Sequence, residues 1–177
     1  MTEKESLREL LAERSFWIYT DGSASTSGVR SGSYSAMILE DNVPHRLVTG
    51  AFTETTINRM ELTAINAALF RVRELLGGVV HGVKVRVVTD SELTQKAIIG
   101  ENKRVANLDL WAQFDALLIG FEEVVVIHNN RNVEPPQIQV DAICDFCRRE
   151  HEALVSRILR THAFQLCEIT KKTKLSA

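Results

Sequence analysis

Cysteine is scarce in this chain of 177 residues: Cys144, Cys147 and Cys167 are the only three. Three thiols cannot all pair within one chain, which argues against a disulfide framework and for reduced thiols in a cytoplasmic protein. Long apolar runs are missing too. The longest, such as Val124 to Ile127, fall far short of a bilayer span. The first residues, MTEKESLRELLAER, have no apolar core of the kind a secretory signal needs. Neither a membrane role nor a secretory leader is expected. Charge of one sign is not in excess, since the net charge is -2 and the pI about 6.2. Nucleic-acid binders are often basic overall, so a function of that kind has to rest on a local patch. Internal repeats, low-complexity blocks and linkers are also absent.

What is present suits one globular domain with a real core, at 45% hydrophobic and 25% charged residues. Ser6 to Glu13 reads as a short helix, with Ser6 and Glu9 at capping-box spacing. Phe16 to Thr20 is aromatic and β-branched, and so a strand, followed by a Ser/Thr/Gly-rich turn that starts at Asp21-Gly22-Ser23. Ser33 to Glu40 and His45 to Phe52 are the next strands, joined through Asp41-Asn42 in an antiparallel meander. Asn58 to Leu76 then changes to helical spacing and stops at Gly77-Gly78. Val83 to Thr89 is a strand, Leu93 to Ile99 and Asp109 to Leu118 are helices, and Val124 to Ile127 is an apolar strand of the kind buried on both faces. Asn129 to Gln139, with Pro135-Pro136, is a loop before a helix over Val140 to Ile158. The order βββαβα(α)βα predicts an α/β fold. Its mixed five-stranded sheet has three antiparallel then two parallel strands, with helices on both faces. The division expected is an N-terminal helical extension over 1–15, a domain over 16–156 and a C-terminal extension over 157–177.

Four acids stand at element ends: Asp21, Glu61, Asp90 and Asp141. Asp21 and Asp90 each follow a strand, and ligand sites in open α/β sheets gather at the carboxyl ends of parallel strands. Glu61 and Asp141 are read as lying in the first turns of their helices. Singly, such acids are ordinary turn and helix-start residues favoured by the helix dipole. Together they repel unless cations neutralise them, and hard oxygen donors select Mg²⁺ or Mn²⁺.

The flanking residues are more specific. Tyr19-Thr20-Asp21-Gly22-Ser23, Asn58-Arg59-Met60-Glu61-Leu62, Thr89-Asp90-Ser91 and Val140-Asp141 resemble type 1 ribonuclease H, in that family's order. Asn107-Leu108-Asp109-Leu110-Trp111 resembles the helix start after the family's substrate-binding protrusion. The likeness spans roughly Phe16 to His151 and implies hydrolysis of the RNA strand of RNA–DNA hybrids, leaving 5′-phosphate and 3′-hydroxyl ends. It implies that Asp21, Glu61, Asp90 and Asp141 hold two Mg²⁺ ions, with Mn²⁺ able to substitute and Asp21 bridging. It further implies substrate contacts from Asn58, from Gly22 and Ser23 in their turn, and from Ser91. RNA would be recognised through its 2′-hydroxyls.

Three departures from the family pattern stand out. Many members carry a glycine–histidine pair before the last acid; here that place holds Asn130 or Arg131, and His128 comes slightly early. The expectation is that His128 is structural, with auxiliary roles for His128, Asn130 and Arg131 kept open. The basic protrusion is missing, leaving Lys103 and Arg104 as candidate phosphate contacts and a protein partner as a way to supply binding. Glu92 stands where a neutral polar residue is common in the family. Cys144-x-x-Cys147 is discounted as a metal motif because no second pair exists. Trp111 and Phe114 read as core, and Lys171, Lys172 and Lys174 as a solvated tail. Two other readings stay open: a catalytically silent nucleic-acid-binding module of the same fold, and another polynucleotidyl hydrolase such as a DNA nuclease or junction resolvase.

Overall fold

The computed structural model describes residues 14–129 and 134–175, so the expected helix at Ser6 to Glu13, as well as Asn130 and Arg131, lie outside the described residues. Three strands open the chain: β1 (Ser15–Ala24), β2 (Ser31–Glu40) and β3 (Val43–Thr53). The β2–β3 turn places Asp41 and Asn42 at φ 50° and 64°. A two-residue hairpin turn with both φ values positive matches the right-handed twist of its strands. Then follow α1 (Ile57–Leu75), β4 (Lys84–Thr89), α2 (Glu92–Ile98), α3 (Leu108–Leu118), β5 (Glu123–His128) and α4 (Pro135–Leu175). The sheet order is β3-β2-β1-β4-β5. The β1–β2 and β2–β3 pairs are antiparallel, while β1–β4 and β4–β5 are parallel. This is the mixed sheet the sequence predicts. No helix among the described residues is long and apolar enough to cross a membrane.

Strand alternation sorts β1 onto two faces. Phe16 and Ile18 join Ile38, Leu62, Ile65, Leu69, Val85 and Val87 in the main core beneath α1. Trp111 and Phe114 of α3 close that core, their rings edge-on at 5.8 Å. Tyr19, Met37, Leu39 and Val88 face the other way and pack on Val140 of α4.

Three local expectations need correction. Asp21, Gly22 and Ser23 are not in a turn: they extend β1, paired with Ser35, Tyr34 and Ser33 of β2. Their polar sequence hides a strand that the partner's ladder stabilises. The expected loop up to Gln139 ends earlier, because α4 starts at Pro135; proline's missing N–H costs nothing in the first helical position. The helix then runs on through residue 157 to Leu175. Finally, β5 is a sheet edge and Val125 is 37% exposed, so the strand is not buried on both faces. An apolar run alone does not say how many faces are covered.

Candidate active site

The parallel ladder between β1 and β4 ends at the pair Thr20–Thr89. The next residues are Asp21 and Asp90, which therefore stand side by side at the carboxyl ends of adjacent parallel strands, where such folds form their crevice. Asp21 remains tied to β2 opposite Ser35, so its backbone stays fixed where β4 leaves off. Glu61 reaches the same point from α1. A Cβ on Gly22 would lie 2.3 Å from the Glu61 backbone nitrogen and 2.7 Å from the Met60 carbonyl carbon. The missing side chain thus lets the α1 backbone rest directly on β1.

The outcome is a trio: Asp21, Glu61 and Asp90 each present an oxygen within 4.8 Å of the other two. Asp21 is 1% and Glu61 3% exposed. Buried carboxylates this close repel one another and lose hydration, a costly arrangement unless a cation balances it. Among the described residues only oxygen donors converge, which suits a hard divalent cation and not a soft thiolate-preferring metal. The donor set therefore fits a hard divalent metal ion.

Asp141 is set differently. It sits on α4 between Gln137, whose Nε2 donates to Thr20 O at 3.0 Å, and Cys144, whose thiol lies 3.5 Å from Asp21 O. It is half-buried and outside the trio of converging oxygens. Neither helical acid lies in a first turn, contrary to expectation. Thr56 caps α1 by accepting from Arg59 N, which makes Glu61 the fifth helical residue, and the early start at Pro135 makes Asp141 the seventh. Dipole effects fade within the first turn, so packing at Gly22 rather than the dipole places Glu61.

The expected substrate contacts divide. Gly22 is buried under α1 and cannot meet a substrate through its face on Glu61. Ser23 Oγ accepts from Arg148 Nε at 2.9 Å. Ser91 caps α2, accepting from Thr94 N and donating to Thr94 Oγ1 at 2.8 Å. Asn58 is exposed on a groove of about 420 Å³ that Lys103, Arg104, Asn107 and Trp111 also line. Lys103 is exposed there. Arg104 is engaged instead: its guanidinium lies 4.4 Å from the Trp111 ring centroid and 2.7 Å from Asp115. It pins the 100–107 loop onto α3.

Histidine 128 ends β5 opposite Thr89 and is exposed, not a structural residue of a buried strand. Glu92 is exposed and paired with Lys96 at 2.7 Å, and the hydrogen bond and charge of that lysine hold its carboxyl below the usual range. It stands outside the acidic trio. Burial pushes the Cys144 thiol up, and the charge of Asp21 adds to this, so the group stays protonated. Cys147 receives a hydrogen bond from Thr49 Oγ1 at 3.4 Å. Among the described residues, neither cysteine joins a metal-holding group.

One contact escaped sequence reasoning. Arg59 donates to both carboxylate oxygens of Asp109, at 3.0 and 2.5 Å, and to Asn107 Oδ1 at 3.4 Å. Its guanidinium holds the Asp109 carboxyl down at about 2. Asn107 takes the left-handed backbone at φ 54° and stands at the N-cap of α3 without a side-chain capping bond to the helix. Arg59 and Asp109 both lie in family-like segments, Asn58 to Leu62 and Asn107 to Trp111, yet no local signal pairs residues so far apart in the chain.

The RNase H family model matches residues 13–128. The ribonuclease H of Thiobacillus denitrificans is 35% identical over 115 residues, covering 57% of this chain and 71% of the relative. That of Dechloromonas aromatica is 32% identical over 120 residues, covering 60% and 75%. Among solved structures, LC11-RNase H1 in complex with an RNA/DNA hybrid superposes with a TM-score of 0.68 at 20% identity, covering 77% of this chain and 98% of that one. An N-terminal RNase H domain from Mycobacterium tuberculosis gives 0.69 at 20% identity, covering 80% and 98%. Since the family match takes in every strand of the sheet and all three converging acids, the chain belongs to the ribonuclease H family.

Proposed function

We propose that this chain is an endonuclease that hydrolyses the RNA strand of RNA–DNA hybrids, leaving 5′-phosphate and 3′-hydroxyl ends. The observation that carries the reading is the convergence of Asp21, Glu61 and Asp90 where β1 and β4 part. In this reading the three acids, with Asp141 as the fourth, hold two Mg²⁺ ions, for which Mn²⁺ substitutes. Bound there, the ions supply water activation and charge neutralisation at the leaving oxygen. The protein's own part is positional. Ladder pairing fixes Asp21, the Gly22 contact sets Glu61, and Gln137 and Cys144 seat the α4 turn that carries Asp141. Asn58 and Lys103 line the groove for the hybrid, and recognition of 2′-hydroxyls selects the strand to be cut. His128, exposed at the end of β5 opposite Thr89, is the histidine this reading assigns to proton transfer. Residues 16–156 form the catalytic unit, and the free thiols Cys144 and Cys147 suit a cytoplasmic setting.

A labelled hybrid, incubated with Mg²⁺ or Mn²⁺ beside duplex DNA, duplex RNA and single strands, tests the reading. Cleavage is expected in the RNA strand of the hybrid alone, and to be lost in Asp21→Asn and Asp90→Asn. Cutting of duplex DNA instead would point to the DNA-nuclease reading. The engagement of Arg104 by Asp115 and Trp111 favours a second reading, a binding module without turnover, because it leaves the groove poor in available positive charge. Hybrid binding with no cleavage in either metal would select that second reading.

A further inference from the structure

Helix α4 is longer than its seat on the sheet. The hydrogen bonds that tie it down run from Gln137 on Thr20, through Cys144 on Ser33 and Arg148 on Ser23, to His151 on Ser31. The helix continues to Leu175, roughly 35 Å further at 1.5 Å per residue. Most helical stability in proteins comes from tertiary packing of an apolar face and little from propensity. Yet Phe146 is 58% exposed, Leu154 46% and Ile158 45%. Beside them runs a groove of about 600 Å³ between α4 and Thr49-Gly50-Ala51 of β3. That strand is a sheet edge, and its second half, from Leu47 to Thr53, carries neither charge nor proline, the usual protections of an edge.

Leu154 and Ile158 flank the Phe146 side of the helix, and the charges along that side say what covers it. At about 3.6 residues per turn, Phe146, Glu150, Ala153, Arg157 and Arg160 follow one stripe at alternating steps of four and three. An acid lies toward one end and two arginines toward the other, all three exposed, with small Ala153 between. Two such stripes laid parallel set acid on acid and arginine on arginine. Laid antiparallel about a two-fold axis near Ala153, they set Glu150 against Arg157, and Phe146 against the stem of Arg160, each twice over. A stripe that complements itself only in that way fits an isologous contact.

We propose that α4 pairs two copies of this chain, antiparallel and two-fold, along the stripe from Phe146 to Arg160. The pairing is independent of the catalytic reading, since none of its residues belongs to the acidic trio or its groove. Sedimentation of the full chain over a concentration series tests it, with circular dichroism to verify the helix in each variant. The wild type is expected to dimerise. Glu150→Arg makes the stripe wholly basic, and Arg157→Glu with Arg160→Glu makes it wholly acidic. Each variant alone should weaken self-association by about tenfold or more. Mixed in equal amounts, the two should form a one-to-one heterodimer. A wild type that stays monomeric up to roughly 100 µM, or variants that dimerise as tightly as the wild type, would overturn the proposal. So would a mixture that fails to associate.

Discussion

Gly22 sets the distance between β1 and α1, the strand and helix that carry Asp21 and Glu61, with no side chain at all. In Gly22→Ala the new methyl would overlap the Glu61 backbone at 2.3 Å, and backbone has no rotamer with which to yield. Overpacking of this kind costs about 1–3 kcal/mol, and a domain of this size loses about 2–4 °C in Tm for each kcal/mol. The expected outcome is a lower Tm together with a fall in kcat, because α1 carries Glu61 away from Asp21. An unchanged kcat would show that the contact does not govern the site. The two tyrosines give a second test at this scale. Burial, then the hydrogen bond to Glu134 and its charge, push Tyr19 up to about 12. Burial also raises Tyr34. A raised folded pKa means that stability is fully present below pH 10 and is lost as pH rises toward 12. In Tyr34→Phe, which leaves Tyr19 as the one tyrosine, tyrosinate absorbance should therefore show no step near pH 10, and adding Glu134→Gln should move the onset to lower pH. A step near pH 10 in the folded Tyr34→Phe protein would refute this.

Between elements, the Arg59–Asp109 pair links the start of α1, two residues before Glu61, to the start of α3. It also holds Asn107 in its left-handed backbone beside the groove. The Asp109 carboxyl is held down at about 2 by the Arg59 hydrogen bond and charge. A depressed folded pKa gives stability that is present above the unfolded value and lost as pH falls through the folded one. The urea midpoint of the wild type should thus exceed that of Asp109→Asn by a constant margin from neutral pH to about pH 5, and the margin should close between about pH 4 and pH 2. The pair is solvent-exposed, so the margin is expected to be small and to shrink in salt. A margin that persists at pH 2 would show that Asp109 acts through something other than its charge.

For the whole molecule, charge is the deciding quantity. A net charge of -2 gives little general attraction to a polyanion. Within the groove Lys103 is exposed, while Arg104 is committed to Asp115 and Trp111. With one or two phosphates neutralised, the plot of log affinity for hybrid against log salt should have a slope of only about -1 to -2. Anisotropy titrations over a salt series measure it. A slope steeper than about -5 would mean that basic residues outside the groove do most of the binding.

Much of this architecture was legible in the chain. Period-two runs gave the strands, the helical spacing of Asn58 to Leu76 gave α1, and the residues around Asp21, Glu61 and Asp90 gave the family. These signals are local, and local chemistry writes them directly into sequence. Other features depend on which elements become neighbours. Asp21 to Ser23 looks like a turn until β2 supplies its ladder. Val124 to Ile127 looks doubly buried until β5 proves to be an edge. Arg104 looks free for phosphate until α3 brings Trp111 and Asp115 to it. The sequence by itself determined which carboxylates stand inside family-like segments, because their flanking motifs travel with them. Only the tertiary structure decided that three of them converge within 4.8 Å while Asp141 stands apart. That distinction rests on the point where the β1–β4 ladder ends and on the bare backbone of Gly22, and both arise from contacts between residues remote in the chain.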